Sequence, residues 1–226
     1  MDIVDCRRYY IYPPIFLQGS LFYIDSIPYF YYYCNFRIFH MAKRVKQKKT
    51  NCKRIVIYGP ESTGKTTLAS DLANHYKTEW VPEYAREYLQ KKWDSHKEKC
   101  NLDDLLNIAL EQIKMENKMI SKSKKFIFCD TNVLVTKVWS ETHFSGFSSP
   151  ELKNILKSVR YDYYFLTNID VPWVKDDLRD RPDNREEMFN YFKGQLDINE
   201  IQYSVISGDK EERLKRAILI LDKIFN

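Results

Sequence analysis

The sequence feature that most constrains the fold is a glycine-rich loop between two apolar segments. Residues 59–66, Gly-Pro-Glu-Ser-Thr-Gly-Lys-Thr, fit the pattern Gly-x4-Gly-Lys-Ser/Thr in full. A β-branched run at 54–58 precedes them, and apolar residues at helical spacing follow over 65–76. Between a strand and a helix, glycines let backbone N–H groups turn towards phosphate oxygens, and the helix adds its positive end. The sequence therefore predicts a phosphate-binding loop for a nucleotide.

Two side chains of this loop and one distant carboxylate are candidates for handling ATP and magnesium. Lys65 would neutralise the β and γ phosphates, and the Thr66 hydroxyl would ligate Mg²⁺. Asp130 ends the apolar run 125–130, a position from which P-loop proteins hold the metal or its waters. The predicted ATP contacts are Gly59, Glu61, Ser62, Thr63, Gly64, Lys65, Thr66 and Thr67, and the predicted metal ligands are Thr66 and Asp130.

Beyond the loop, apolar runs typical of strands alternate with amphipathic segments typical of helices. Strands are expected at 54–58, 78–82, 125–130, 161–167 and 203–207, and helices at 65–76, 83–92, 101–119, 131–141, 150–159 and 210–225. This alternation predicts the α/β class, as a P-loop NTPase fold with a mostly parallel sheet and helices on both faces.

A segment rich in Asp and Arg, residues 170–185, has too few apolar positions for a core element. We expect it to form a mobile charged lid. Its arginines, Arg179, Arg181 and Arg185, are candidates for closing over the transferred phosphate, because cationic donors are most useful where negative charge spreads in a transition state.

The residues around these positions narrow the class of reaction. Thr131 follows Asp130, where a hydrolytic P-loop motor usually has a glutamate that activates water, and this argues against a motor. Residues 167–170, Thr-Asn-Ile-Asp, lack the lysine of a guanine-reading motif, which argues against a GTPase. Glu83 follows the second predicted strand, where ligands collect in parallel sheets, and could accept the proton of an attacking hydroxyl. It could instead satisfy backbone N–H groups at a helix start.

Charge and cysteine content argue against several other classes. The net charge of +5 comes from residues 41–54, which carry seven basic and no acidic residues, whereas the residues after 54 carry 26 basic and 28 acidic ones. An obligate nucleic-acid binder is typically basic over its folded domain, and the residues after 54 are not. The short basic run at 41–54 is expected to be solvated. Five cysteines without a CxxC pair favour a reducing cytoplasm. No apolar run reaches the ~18–20 residues of a membrane span, so no stable membrane insertion is expected.

The first 40 residues differ in composition from the rest. They hold about a third of the aromatic residues, in stretches that follow neither a helical nor a strand period. We therefore expect a non-core extension over 1–52 and a P-loop domain over 53–226, with translation of the native protein beginning at Met41. An aromatic anchor at a membrane surface is the rival interpretation of this segment.

Several further motifs resemble one bacterial family. They are Val81-Pro-Glu-Tyr-Ala-Arg-Glu-Tyr88, Asp130-Thr131, Val138-Trp-Ser140, Tyr161-Asp162, Leu166-Thr167, Pro172-Trp173 and Leu178-Arg-Asp180 with Arg185. Together with the loop they resemble the ribosylnicotinamide kinase domain of the NadR family, in order and with compatible spacing over residues 53–225. One departure is Lys175-Asp-Asp177, where the family pattern has an acidic pair followed by glycine.

This resemblance implies transfer of the ATP γ-phosphate to the 5′-hydroxyl of nicotinamide riboside, giving nicotinamide mononucleotide and ADP. The implied catalytic residues are Lys65, Glu83, Asp130, Arg179 and Arg185, and the implied substrate contacts are Glu83, Tyr84, Arg86, Trp139 and Trp173. The residues suit such a substrate independently, because an indole face attracts a flat cation such as pyridinium. Ordinary packing is the alternative role for both tryptophans.

Two other functions remain open at this point. The scaffold and Glu83 would serve another nucleoside or nucleotide kinase equally well, and a regulatory nucleotide-binding module would also use the loop. The lid and Glu83 favour an enzyme, because a switch needs no proton acceptor beside the γ-phosphate. NadR proteins also carry a nucleotidyltransferase domain with a His-x-Gly-His site, which this sequence lacks. We therefore expect the reaction to stop at the mononucleotide.

Overall fold

The structure is a computed structural model that describes residues 16–17, 20–21, 45–179 and 181–225. The chain divides into two units, Met1–Arg37 and Ile38–Asn226. In the first unit, β1 (Phe16–Leu17) and β2 (Ser20–Leu21) pair antiparallel. Apart from these four residues, the segment 1–40 lies outside the described residues, and so does the predicted start at Met41.

The described residues of the second unit form a five-stranded sheet in the order β4-β5-β3-β6-β7. The strands are β3 (Lys53–Tyr58), β4 (Trp80–Val81), β5 (Phe126–Asp130), β6 (Tyr163–Thr167) and β7 (Tyr203–Ile206). All four pairings are parallel, as the sequence predicts. Strand β3 lies at the centre of the sheet, so its carboxyl end lies in the middle of the edge where ligands bind in such folds.

Helices connect the strands and complete the α/β alternation. They are α1 (Lys65–Tyr76), α2 (Tyr84–His96), α3 (Leu102–Met119), α4 (Val133–His143), α5 (Pro150–Ser158), α6 (Arg185–Ile198) and α7 (Lys210–Phe225), with a 3-10 turn at Ile120–Lys122. Six of these were expected from the sequence. Helix α6 was not expected. It buries the apolar Met188, Phe192 and Leu196, but the charged lid directly before the helix made this apolar spacing hard to recognise.

Both faces of the sheet are covered, as predicted. Successive residues of a strand point to opposite faces. Ile55 and Ile57 of β3 pack in one cluster with α1 and α7, whereas Val56 and Tyr58 pack in another with α4 and α6. The strands are therefore buried on two sides, which explains why they appear in the sequence as continuous apolar runs.

The described part of the basic lead-in contacts helix α3. The side-chain amide of Asn117 donates to the Lys46 carbonyl at 2.8 Å, and the Lys48 N–H donates to Asn117 Oδ1 at 2.7 Å. Gln47 donates to the fully buried carboxylate of Glu116 at 3.4 Å, and the Tyr161 hydroxyl donates to it at 2.8 Å. These residues therefore cover a buried acid at the end of the sheet where β3 begins. Among the described residues, no helix has the length and apolar character needed to span a membrane.

Candidate active site

The phosphate-binding loop joins β3 to α1, and two of its glycines are required by geometry. Gly64 precedes α1 with a φ of 77°, a region that side chains disfavour. Gly59 has a φ of 140°, and a Cβ atom there would lie 2.7 Å from Oγ1 of Thr167. The loop thus passes so close to the end of β6 that a side chain at position 59 would collide with it.

Hydrogen bonds within the loop hold its shape. The ammonium group of Lys65 donates to the Pro60 carbonyl at 2.6 Å, and the Thr63 hydroxyl bonds the same carbonyl at 2.7 Å. Oγ1 of Thr63 also lies 2.7 Å from Oγ1 of Thr167. Lys65 therefore already lies across the loop, where it can neutralise phosphate charge.

Arg213, on α7, supports the loop from below and was not predicted. It is buried, and its guanidinium donates to the carbonyls of Thr63 at 2.6 Å, Gly208 at 2.8 Å and Asn168 at 3.1 Å, and to the Asp170 carboxylate. It therefore joins the ends of three segments. Charged residues surround Arg213 in the sequence of α7, so nothing in the sequence indicated this role.

The predicted metal ligands lie side by side. The Thr66 hydroxyl donates to Oδ2 of Asp130 at 2.5 Å, and Oδ1 of Asp130 is buried with no hydrogen-bond partner in the described part of the chain. Burial raises the pKa of Asp130, while Lys65 and the Thr66 hydroxyl oppose this rise. A hydroxyl and a carboxylate with a free buried oxygen suit Mg²⁺, which takes few protein ligands and completes its shell with phosphate and water. Thr66 and Asp130 would hold that ion.

Glu83 lies at the carboxyl end of β4, immediately before α2. Its side chain makes no capping bond to the helix N–H groups, so the alternative role as a capping carboxylate is not what the structure shows. Burial raises the pKa of Glu83 to about 7; the charge of Lys65 opposes this rise and that of Asp130 adds to it. A carboxyl group with this pKa can take a proton near neutral pH.

One cavity of about 930 Å³ brings most of the predicted site residues together. Those that line it are Glu61, Ser62, Thr63, Gly64, Lys65, Thr66, Thr67, Glu83, Arg86, Asp130, Trp139 and Arg179. Trp139 is half-buried and stacks on His143, with ring centroids 4.2 Å apart. The cavity is large enough to hold a nucleotide and a second small molecule.

Five predicted residues lie elsewhere, and Arg181 of the lid is one of them. Gly59 packs on Thr167, and the Tyr84 ring stacks on Tyr88 with centroids 5.9 Å apart. The Arg185 guanidinium lies over the Trp173 ring at 5.8 Å and donates to the Ser62 carbonyl at 3.3 Å. Neither Arg185 nor Trp173 lines the large cavity; both line a much smaller one beside Glu61.

The lid (residues 170–185) is bonded to the loop and to helix α2. The Val174 N–H donates to Ser62 Oγ at 2.9 Å, and the Arg181 N–H donates to Glu61 Oε1 at 3.1 Å. The Arg181 side chain turns away to the Thr142 carbonyl at 2.6 Å. Of the three lid arginines, only Arg179 lines the cavity. The sequence missed Asp176, which pairs with Arg86 of α2.

Comparison with known proteins agrees with this fold and loop. The profile of an AAA domain family, AAA_28, matches residues 54–213, from β3 into α7. The chain belongs to this AAA domain family. The trifunctional NAD biosynthesis/regulator protein NadR of Escherichia coli (strain K12) is 27% identical over 169 residues, which cover 74% of this chain and 41% of that protein. The predicted resemblance to NadR is thereby confirmed, and the chain spans less than half the length of this relative.

Two solved structures show the same architecture. A NadR protein in complex with NR aligns with a TM-score of 0.65 and 20% identity, over 77% of this chain and 52% of that one. Deoxyadenosine kinase from M. mycoides aligns with a TM-score of 0.55 and 13% identity, over 76% of this chain and 100% of that one. These likenesses confirm the predicted α/β P-loop NTPase fold.

Proposed function

We propose that this chain is an ATP-dependent kinase that phosphorylates the 5′-hydroxyl of nicotinamide riboside to nicotinamide mononucleotide. The observation that carries the proposal is the shared cavity. Lys65, Glu83 and the indole of Trp139 all line it, and the Glu83 side chain makes no capping bond to helix α2. The NadR relative and the kinase neighbours support a phosphotransferase of small nucleosides or nucleotides. The cationic pyridinium ring of nicotinamide riboside suits an indole wall.

The reaction follows from the positions of these groups. Glu83 takes the proton of the 5′-hydroxyl as its oxygen attacks the γ-phosphorus, and the bond from that phosphorus to the β-phosphate oxygen breaks. Lys65 and Arg179 stabilise the negative charge on the transferred group and on the departing ADP. Thr66 and Asp130 would hold Mg²⁺, and the bound ion would supply further neutralisation of phosphate charge. The lid would exclude water, which limits hydrolysis of ATP.

An ADP-release assay across acceptors tests the proposal. Nicotinamide riboside, the ribonucleosides and the deoxynucleosides are compared with a reaction without acceptor, and the product is identified by mass. Lys65→Ala provides the blank, because it removes the charge that acts on the phosphates and keeps a helix former at the first position of α1. We expect turnover with nicotinamide riboside and a mononucleotide product. Equal turnover with thymidine would indicate a broader nucleoside kinase, and ADP release without any acceptor would reject the kinase assignment.

A further inference from the structure

Asp176 lies between two arginines that both line the cavity. Both terminal nitrogens of Arg86, on α2, donate to its two carboxylate oxygens, one at 3.3 Å. Nε of Arg179, on the lid, lies 3.1 Å from Oδ2. Oδ1 also accepts the N–H groups of Leu178 and Arg179 at 3.0 Å each. A single carboxylate thus receives five donors from two separate elements.

Asp176 does not itself line the cavity, although Arg86 and Arg179 do. Burial acts to raise the pKa of Asp176, but hydrogen bonds from Arg86 and from the Leu178 N–H, with the charges of both arginines, bring it below its ordinary value. The group is therefore ionised at neutral pH. A bidentate pair between Arg and a carboxylate fixes the plane of the guanidinium as well as its position.

The contacts of Asp176 with Arg86 and Arg179 also connect the lid to the wall of the cavity. Without a negative charge between them, the two guanidinium groups would repel each other. Arg86 would regain its rotamers, whereas Arg179 would keep its bond to the Val174 carbonyl at 2.6 Å. Among the described residues, the lid would then keep weaker contacts on this side, such as the one from Gln90 to the exposed Asp177 at 3.2 Å. The contacts of Val174 and Arg181 with the phosphate-binding loop would remain.

We propose that Asp176 is a positioning residue, which ties the lid to helix α2 and holds the guanidinium groups of Arg86 and Arg179 on the cavity wall for phosphoryl transfer. The kinetic part of this inference rests on the proposed function. Asp176 acts through the two arginines and touches no substrate. Its loss should therefore affect the rate of transfer more than the binding of ATP.

Asp176→Asn is the sharpest variant. The amide oxygen can still accept the N–H groups of Leu178 and Arg179, so the local turn is kept while the charge that pairs with the two arginines is lost. Asp183→Asn is the matched control, because it makes the same change at an exposed position of the same lid. Asp176→Glu keeps the charge on a longer stem. Thermal unfolding confirms that each variant is folded.

Two measurements test the inference. The first is the split between kcat and the KM for ATP: in Asp176→Asn we expect kcat to fall about 10- to 100-fold, as a misplaced positioning group does, with little change in KM. The second is hydrogen exchange of the lid amides over 174–179, which should become at least about tenfold faster as the local opening free energy falls. Asp183→Asn should match the wild type in both, and Asp176→Glu should recover part of the rate.

Wild-type kcat and wild-type lid exchange in Asp176→Asn would overturn the inference. An equal loss in Asp183→Asn would also overturn it, since any lid charge would then serve. A raised KM with an unchanged kcat would show that Asp176 contacts a substrate directly, which contradicts a positioning role. Faster lid exchange in Asp176→Asn, in a protein whose wild type phosphorylates no acceptor, would support the tie to α2 and reject the proposed function alone.

Discussion

The Thr66 hydroxyl donates a hydrogen bond of 2.5 Å to Oδ2 of Asp130, so the first turn of α1 and the end of β5 bring two side-chain oxygens together. The residue after Asp130 adds to this arrangement. Thr131 has a φ of 70°, which β-branched residues rarely adopt, and its N–H donates to the Ile57 carbonyl at 3.1 Å. The chain therefore turns sharply after Asp130, and the carboxylate remains at the sheet edge beside the loop.

Magnesium dependence should follow the hydroxyl at position 66. Thr66→Val removes the hydroxyl at nearly constant shape, so the Mg²⁺ concentration at half-maximal activity should rise about tenfold or more, as expected for losing one polar contact to an ion. Thr66→Ser retains the hydroxyl and is the matched control. Titration with Mg²⁺ at saturating ATP measures the effect. Equal magnesium requirements in the two variants would remove Thr66 from the ligand set.

The pH profile should report the ionisation of Glu83. A general base acts in its deprotonated form, so kcat/KM should rise as pH increases through about 7, the raised pKa of this group. Glu83→Gln keeps the shape but cannot accept the proton, and kcat should fall about 10²- to 10⁴-fold with the rising limb lost. ATP affinity, measured separately by calorimetry, should barely change. A variant that kept its maximal rate but lost ATP affinity would make Glu83 a nucleotide ligand and Asp130 the better candidate base.

The two tryptophans should differ in their effects on the acceptor. Trp139 lines the cavity, so Trp139→Leu should raise the KM for nicotinamide riboside about 3- to 30-fold, the range expected for a lost cation–π contact. The KM for ATP should stay close to that of the wild type. Trp173→Leu provides the comparison, because that ring lies against Arg185 outside the cavity. If only Trp173→Leu raised the acceptor KM, the indole that recognises the acceptor would have to be reassigned.

Local signals in the sequence were sufficient to predict much of the fold. Helix α1 has the predicted bounds because Gly64 and the apolar spacing of Leu68 and Leu72 mark its start and its buried face. The parallel order of the strands followed from the alternation of elements. The phosphate-binding loop could be located because its glycines and the strand and helix that flank it are neighbours in the sequence.

Contacts between distant segments could not be predicted in this way. Arg213 reaches Thr63 over 150 positions, and Arg86 reaches Asp176 over 90. By its sequence neighbours Arg213 is an ordinary surface residue, and the motif that contains Arg86 gives no sign of its pairing with Asp176. Trp173 shows the same limit, since an aromatic residue beside proline carries no sign of which side chain its ring will meet. The positions of such side chains depend on packing that the periodicity of the sequence does not encode.

The protein should become less stable as the pH rises through neutrality, because of the buried Glu116. Burial raises the pKa of Glu116 to about 7, although hydrogen bonds from Tyr161 and Gln47 and the charge of Arg54 oppose the rise. The folded protein thus binds this proton more tightly than the unfolded chain, whose carboxyl has its ordinary pKa of 4.5. The contribution to stability is fully present below pH 4.5 and is lost as pH rises through about 7.

Glu116→Gln removes this titration. Between pH 5 and 8, the free energy of unfolding of the wild type should decline relative to the variant by roughly 1–3 kcal/mol, measured by urea denaturation. Glu111→Gln, on the same helix, is the control, since Glu111 pairs with Lys114 in a more exposed position and should leave the pH slope unchanged. Parallel curves for the wild type and Glu116→Gln would contradict the prediction.

The support of the phosphate-binding loop by Thr167 and Arg213 has a consequence for synthesis of the chain. Oγ1 of Thr63 lies against Thr167, 104 positions later, and the Thr63 carbonyl accepts from Arg213 on the last helix. A nascent chain that has left the ribosome only as far as α5 contains the whole loop sequence but lacks both Thr167 and Arg213. Ligands stabilise only the states that bind them. ATP should therefore give no protection to the growing chain, and nucleotide binding should begin only when the carboxyl-terminal helix has docked.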